Sequence, residues 1–450
     1  PMHSGTRWRY TLLLALLATL FGALAASPAS AQDDGGDDGV AVFGQLTYED
    51  PETGDDIAAV GVTVEVEDVG AADTDDAGAF RIEVPTAGDY SVALVVETLP
   101  DGVNLRNPDA NPLTATVNDR DRRVLFPLVF GEAEESTAGA ISFRRVAQLT
   151  AEGLKQGLYL AMAAIGLTLI FGTTGLVNFA HAELVTWGML ATYFFNFYGL
   201  AGVIGFLAPL PPPFGDGVNL AFAAVLGMLS GAALGWFLNR FIFQGARRAG
   251  VSLIAQMVMT IGLSIVLRYL FVYLFRGAPR SFGDFAAQRA VSLGPIELTP
   301  KDLIAMGLSI LILIGVASYL ELTRMGKAMR AVSDNRDLAE STGIDVERVI
   351  SLVWMSGAAL AALSGVFFGL DQVKWDFGFR ILLLIFASVT LGGLGRPYGA
   401  LVGALIVGLT INLSTLFIDA EVKNMVALLM MALILMFRPQ GILGRAERIG

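Results

Sequence analysis

A mainly α, polytopic membrane bundle preceded by a small β-sandwich is the fold class this sequence predicts, on three observations. The 450 residues have a mean hydropathy of +0.61 and are 54% hydrophobic, too apolar for an ordinary soluble protein of that length. Beyond residue 150 the apolar residues gather in stretches long enough to cross about 30 Å of hydrocarbon at about 1.5 Å per residue. Between 40 and 130 they alternate with polar residues in short runs, the period of strands with one buried face.

Charge divides the chain in the same way. Residues 33–135 carry 25 acidic and 5 basic residues, so the net charge of −12 conceals a remainder that is net positive. The chain has no cysteine, which excludes disulfides, thiolate metal sites and a cysteine nucleophile. Its two histidines, His3 and His181, are too few for a histidine metal centre and argue against a Ser-His-Asp site. We therefore expect no catalytic residues, no metal and no cofactor of its own, and nothing points to a nucleic-acid partner.

The elements follow in order. Arg7 and Arg9 precede the apolar run 12–26, which ends in Ala29-Ser30-Ala31, the pattern of a secretory signal peptide over 2–31. An acidic Gly/Asp linker, 32–39, leads into the exported sandwich domain, 40–130, with strands expected near 40–48, 60–66, 79–84, 90–96, 114–117 and 123–129. Turn signals at Thr53-Gly54-Asp55 and Asp76-Ala77-Gly78 separate them. The Asp73, Asp75, Asp76 cluster lacks the spacing of an EF-hand and reads as turn chemistry. A second linker, 131–150, precedes the transmembrane domain, 151–445.

That domain contains nine apolar stretches, near 153–172, 176–198, 218–239, 251–275, 302–322, 349–370, 380–394, 398–418 and 424–438. Basic residues collect at Arg240, Arg247 and Arg248, at Arg324 to Arg348, and at Arg438, Arg445 and Arg448; these connections should be cytoplasmic. Nine crossings then leave the N-terminal side of the bundle outside and the C-terminus inside, the orientation the signal peptide also demands. The expected location is the cytoplasmic (inner) membrane, multi-pass, with the N-terminal domain extracytoplasmic.

Three constellations bear on function. In Asn178-Phe-Ala-His-Ala-Glu183 three polar side chains, Asn178, His181 and Glu183, lie in apolar surroundings and must face the interior, a cavity or one another. Asn178 and His181 would share a face of a regular helix, and a break near Gly172 to Gly175 would relax that geometry. They either tie helices together or line a translocation path. The basic stretch 321–348 reads as two short helices, the first amphipathic, with Met325, Met329 and Val332 opposite Lys327 and Arg330, the second ending at Gly343. Interleaved acidic residues favour docking to a soluble protein over an anionic lipid surface. The run Leu391-Gly-Gly-Leu-Gly-Arg-Pro-Tyr-Gly-Ala-Leu-Val-Gly403 lacks the lysine of a phosphate loop, and Gly392, Gly393, Gly395, Gly399 and Gly403 are expected to let helices pack closely.

Asn178-Phe-Ala-His-Ala-Glu183, Arg324-Met-Gly-Lys-Ala-Met-Arg330, Gly343-Ile-Asp-Val-Glu-Arg-Val-Ile350, Leu391-Gly-Gly-Leu-Gly395 and Arg438-Pro-Gln-Gly-Ile-Leu-Gly-Arg445 fall in order along roughly 151–445. Together they resemble the LivH-type permeases of branched-chain amino acid ABC importers. The N-terminal runs resemble carboxypeptidase-regulatory-like, or transthyretin-like, sandwiches. The resemblance implies a subunit of a heteromeric importer for branched-chain amino acids, or a relative carrying urea or short amides. Its partners would be the lipid bilayer, a second related permease, two cytoplasmic ATPases that bind ATP and Mg, and an extracytoplasmic solute-binding protein. It further implies that Arg324, Met325, Gly326, Lys327, Met329, Arg330, Arg336, Gly343 and Arg348 lie at the ATPase contact. Two departures are Ala182, where the family usually has glycine, and the exported domain, which the simple permease lacks. Rival classes are a stand-alone proton-coupled transporter or channel using His181 and Glu183, and a membrane-anchored adhesion or sensory protein.

Overall fold

The computed structural model describes residues 40–49, 56–86, 88–105, 111–117, 122–131, 142–200, 217–275, 277–283, 288, 290–418, 422–438 and 440–443. The signal peptide and acidic linker expected at 2–39 lie outside them. The chain divides into two units, with 29–140 forming one and the helical region the other.

The first unit is built of short strands: β1 (Ala41–Gln45), β2 (Thr47–Glu49), β3 (Asp56–Ala58), β4 (Thr63–Val66), β5 (Gly70–Asp73), β6 (Ala79–Glu83), β7 (Gly88–Leu94), β8 (Val103–Leu105), β9 (Leu113–Val117), β10 (Arg122–Arg123) and β11 (Leu128–Phe130). Four antiparallel strands run in the order β5-β4-β7-β9, three in the order β10-β1-β6, and β2-β3 and β11-β8 pair separately. Val42, Leu46, Val64, Phe80, Val92, Leu94 and Phe126 meet in one apolar core. The expected first strand, 40–48, is two strands, because the backbone of Leu46 turns aside to bond Gly78 and Ala59. Strands β3, β5 and β8 were not expected; at three or four residues each they are too short to display a period. The Asp75 carboxylate accepts the N–H groups of Ala77 and Ala79, and that of Asp73 accepts the Thr63 hydroxyl, so both stabilise turn and strand.

The second unit consists of α1 (Phe143–Thr174), α2 (His181–Tyr198), α3 (Leu220–Arg248), α4 (Leu253–Phe275), α5 (Pro300–Leu322), α6 (Arg324–Asp334), α7 (Arg336–Ser341), α8 (Val346–Gly369), α9 (Phe377–Gly392), α10 (Pro397–Ser414) and α11 (Lys423–Phe437), with a hairpin of β12 (Val291–Leu293) and β13 (Ile296–Leu298) ahead of α5. Among the described residues six of these, α1, α3, α4, α5, α8 and α10, are long and apolar enough to cross a membrane, against the nine crossings expected. The remaining three apolar stretches are helical but deficient in length or composition. The 16 residues of α9 and 15 of α11 give about 24 and 22 Å of helix, and α2 opens on His181 and Glu183 of the sequence motif. The second linker also needs correcting: α1 starts at Phe143, capped by the Ser142 hydroxyl, so 143–150 are helical. Its extension is tied to the hairpin by Gln148, whose amide exchanges two hydrogen bonds with the Glu297 backbone, and by an Arg144–Glu297 ion pair.

In lipid, apolar side chains gain little by leaving the solvent for a neighbouring helix, so helix contact relies on close packing. Here glycine provides it. An ideal Cβ on Gly166 of α1 would lie 2.5 Å from the Gly357 carbonyl oxygen of α8, and one on Gly357 2.8 Å from that of Gly166. Ideal Cβ atoms on Gly153 and Gly157 would lie 2.9 and 3.0 Å from the α10 backbone at Leu409 and Leu405, and Gly188 of α2 and Gly235 of α3 sit against Ala362 and Trp354 of α8. A π-helical turn, Asn239–Phe243, rotates the end of α3 so that Phe243 stacks on Trp354, centroids 4.7 Å apart. Gly166→Val is expected to cost on the order of 3 kcal/mol, whereas Gly262→Ala and Gly315→Ala, whose added carbons meet nothing within 4 Å, should be neutral or slightly stabilising. Thermal unfolding of the three variants in detergent checks the difference.

Candidate functional site

Arg240, Arg247, Arg248 and 324–348 define one end of the helical unit, called here the basic end. Helix α1 reaches that end and stops at Gly175, whose φ of 68° is the left-handed conformation that glycine tolerates, with its N–H bonded to the Phe171 carbonyl. The chain then turns back into the bundle. His181, the first residue of α2, lies against Gly166, eight residues before the end of α1, and its Nε2 is 2.9 Å from the Ala163 carbonyl. Eight residues are about 12 Å of helix, so α2 starts well inside the bundle, and 175–180 is a re-entrant link.

Backbone groups in such a link need partners. The Asn178 carboxamide oxygen accepts the Ala180 N–H, the Asn178 carbonyl accepts that of His181, and Phe179 donates its N–H to the Thr260 hydroxyl of α4. Of the two geometries the sequence allowed, the break near Gly172 to Gly175 is the one found, so Asn178 and His181 do not share a helix face. Asn178 belongs to the link, where its side chain shapes the turn that starts α2.

All three motif side chains are fully buried, and no hydrogen bond joins one to another among the described residues. Glu183 accepts the Ser264 hydroxyl of α4 at 3.2 Å. Each retains a buried polar atom without a hydrogen-bond partner: Asn178 Nδ2, His181 Nδ1 and Glu183 Oε2. With Nε2 donating to Ala163, Nδ1 of His181 is an acceptor.

A second helix starts inside the bundle beside the first. After α8 ends, 370–376 returns inward and α9 begins at Phe377. The Gly378 N–H donates to Thr186 of α2 at 2.9 Å, and the absence of a Cβ at Gly378 lets that backbone lie on the Ala182 carbonyl. Thr186 is twelve residues short of the end of α2, about 18 Å of helix. The close approach of α9 to α2 at Ala182 is thus made possible by Gly378.

Sequence reasoning missed the α4 side of this region. Gln256, Thr260, Ser264 and Arg268 recur every fourth residue along an otherwise apolar helix, a polar stripe that the spacing itself could have revealed. Thr260 holds the link, Ser264 holds Glu183, and the Arg268 guanidinium lies 4.1 Å from the ring centre of Phe379 and 5.5 Å from that of Trp375. Arg380 of α9 pairs with Asp376 at 2.7 Å and is 62% exposed at its side chain. Arg268 is the only charged residue of α4, and Arg380 the only one of α9.

At the basic end, Thr323, Asn335 and Asp345 cap α6, α7 and α8 through bonds to the N–H groups of Gly326, Leu338 and Arg348. The apolar face of α6, opposite Lys327 and Arg330 as the spacing predicts, turns to the bundle. Met329 and Val332 are buried, Met325 is half-buried, and Gly326 packs on the Leu320 carbonyl, because the bundle itself offers the apolar surface that face needs. Arg324, Lys327, Arg330, Arg336, Gly343 and Arg348 are exposed, along with Leu338 at 63%. Glu347 ties this layer to α3, accepting Arg247 at 2.9 Å and Arg336 at 3.1 Å.

The glycine run divides. Gly392 and Gly399 face each other across α9 and α10, and Gly403 lies on the Ser388 carbonyl, so these three are packing residues. Gly393 and Gly395, at φ of 108° and 79°, are turn residues. The C-terminal strand of backbone docks there, with Ile442 and Leu443 donating to the Leu391 and Gly392 carbonyls and Arg396 donating to that of Leu443. A cleft of about 570 Å³ opens beside it between Thr168, Arg330, Asp334 and Tyr398.

The family described as branched-chain amino acid transport system / permease component matches residues 149–435, which take in every helix from α1 to α11 almost entire. This chain belongs to that family. The high-affinity branched-chain amino acid transport system permease protein LivH of Escherichia coli (strain K12) is 29% identical over 308 residues, 66% of this chain and 94% of LivH. Its counterpart BraD of Pseudomonas aeruginosa is 28% identical over 312 residues, 67% and 96% of the two chains. The ribose import permease protein RbsC of Escherichia coli (strain K12) is 24% identical over 276 residues, 58% of this chain and 75% of RbsC. A solved structure, PsaBC from Streptococcus pneumoniae in complex with Fab, covers 64% of this chain at 14% identity and a TM-score of 0.34. The branched-chain permease family segment leaves out the first unit and contains both re-entrant links.

Burial makes His181 a tie between α1 and α2. His181→Ala should lower stability by about 2–4 kcal/mol through the lost bond and the cavity, and His181→Gln, which can still donate to Ala163, should recover part of it. Thermal unfolding in detergent measures both.

Proposed function

We propose that this chain is one permease subunit of an ABC importer for branched-chain amino acids. The family match across the whole helical unit, with 94% of LivH aligned, carries this reading. In it the chain is a multi-pass protein of the cytoplasmic membrane, N-terminus outside and C-terminus inside, with the basic end in the cytoplasm. The first unit is an extracytoplasmic β-sandwich. The chain works beside a second related permease, two ATPase subunits that bind ATP and Mg, and an extracytoplasmic binding protein that delivers the solute. It forms half of the translocation path and hydrolyses nothing itself.

Coupling is assigned to the exposed face of 324–348. Arg324, Lys327, Arg330, Arg336 and Arg348 would meet the ATPase with Leu338 as an apolar anchor, and the buried Met329 and Val332 would transmit its movement to α1 and α5. Glu347, clamped by Arg247 and Arg336, passes the same movement to α3 and α8. Asn178, His181 and Glu183 have a gating role: the interior start of α2 is the hinge on which the bundle rocks between outward and inward openings, and their unpartnered atoms find partners in the other state.

Affinity purification from the native membrane should recover an ATPase and a second permease. The double variant Arg330→Glu/Arg336→Glu should lower ATP-dependent uptake of labelled L-leucine at least tenfold, with the ATPase partly lost from the complex. Recovery of the chain alone, with uptake driven by a proton gradient and indifferent to those substitutions, would contradict the assignment in favour of a proton-coupled transporter.

A further inference from the structure

The face shared by α4 and the start of α9 is not explained by packing. Arg268 is the sixteenth of the 23 residues of α4, and its guanidinium is directed sideways at α9, over the rings of Phe379 and Trp375. Those ring contacts engage the charge of the cation and supply no oxygen acceptor to its five N–H donors. Among the described residues Arg268 has no acceptor within hydrogen-bond distance and no ion pair. The Glu183 carboxyl spends one oxygen on the Ser264 hydroxyl. Arg380 and Asp376 satisfy each other, which leaves Arg268, among the described residues, the charged group of this face that has rings and no polar partner.

Depth makes that imbalance informative. Helix α9 begins about 18 Å of helix short of the end of α2, so Phe379 and Arg380 stand on an exposed surface below the rim of the bundle. A cation at such depth faces water, a partner or a solute, and not hydrocarbon. A guanidinium with a free planar edge, flanked by two aromatic rings, matches a carboxylate that carries an apolar side chain: the fork takes both oxygens, and the rings accept the aliphatic part.

We propose that Arg268, held between Trp375 and Phe379, binds the carboxylate of the solute as it passes, and so selects α-amino acids with apolar side chains over uncharged solutes such as urea or short amides. This rests on the importer reading above, cargo included, and adds to it the residue that recognises the carboxylate. The polar stripe continues the path toward the basic end, with Ser264 and Thr260 the next groups along the same helix face. Arg380 and Asp376 form a neutral pair at its edge.

The test uses the complete complex, with both permeases and ATPases, in proteoliposomes, and with its binding protein saturated so that affinity for the binding protein drops out. ATP-dependent uptake of labelled L-leucine and of labelled urea is measured for the wild type, Arg268→Gln and Arg268→Lys. The wild type is expected to take up leucine and not urea. Arg268→Gln should lower leucine uptake at least tenfold, and Arg268→Lys, which keeps the charge without the fork, two- to fivefold. Leucine uptake by Arg268→Gln within twofold of the wild type overturns the proposal. So does a complex that loses its partners on Arg268→Gln while Arg268→Lys carries leucine at the wild-type rate, since the residue would then be a subunit contact. ATP-dependent uptake of urea but not leucine overturns the proposal together with the amino acid cargo of the reading above, and leaves only an ATP-driven importer. ATP-dependent uptake of neither solute removes both.

Discussion

Backbone contact between α1 and α8 at Gly166 and Gly357 is the constraint on which the helical unit depends. Neither position has room for a Cβ, because each glycine's carbonyl oxygen lies where the other's Cβ would press. In a bilayer such approaches replace the apolar driving force that orders a soluble core. The same small surface at Gly166 receives the His181 ring, so the crossing that joins α1 to α8 also decides where α2 can begin.

From that start the polar interior follows. A helix that begins inside the bundle must satisfy the backbone of the link leading to it, and Asn178, Thr260 and the Asn178 carbonyl do so. The same geometry places Glu183 against α4 and sets Thr186 to hold the interior start of α9. Two helix starts and one polar stripe thus converge at mid-depth. Glycine opens the space, hydrogen bonds occupy most of it, and unpartnered atoms of Asn178, His181, Glu183 and the Arg268 fork remain for a moving solute or a second conformation.

Hydropathy made the helical segments legible because a 20-residue apolar run leaves little choice of structure in lipid. It could not separate a full crossing from a helix that starts inside, since α9 is as apolar as helices that cross and the apolar stretch read from 176 runs over the link into α2. The Asn178 motif was visible as an anomaly of composition, but its geometry was not: periodicity assumes a continuous helix, and the turn at 175–180 interrupts it. At the basic end the caps Thr323, Asn335 and Asp345 follow from local rules, whereas the inward turn of Met329 depends on the surface the other helices present. Arg380 was overlooked because a single charge in an apolar helix has no local pattern, although in a membrane it is itself a signal, and Arg268 because its four-residue stripe is sparse against an apolar background.

The central claim is that the face formed by α4 and the beginning of α9 lines an aqueous path. Leu383, one turn beyond Phe379, is 48% exposed on that face, and Leu311 of α5 is 64% exposed on another side of the unit. The chain has no cysteine of its own, so Leu383→Cys and Leu311→Cys each present a single thiol. In the assembled complex in liposomes, a membrane-impermeant maleimide should label Leu383→Cys at a rate that changes when a non-hydrolysable ATP analogue is added, and should leave Leu311→Cys unlabelled. Equal labelling at the two positions, or none at Leu383→Cys with or without nucleotide, would contradict the account.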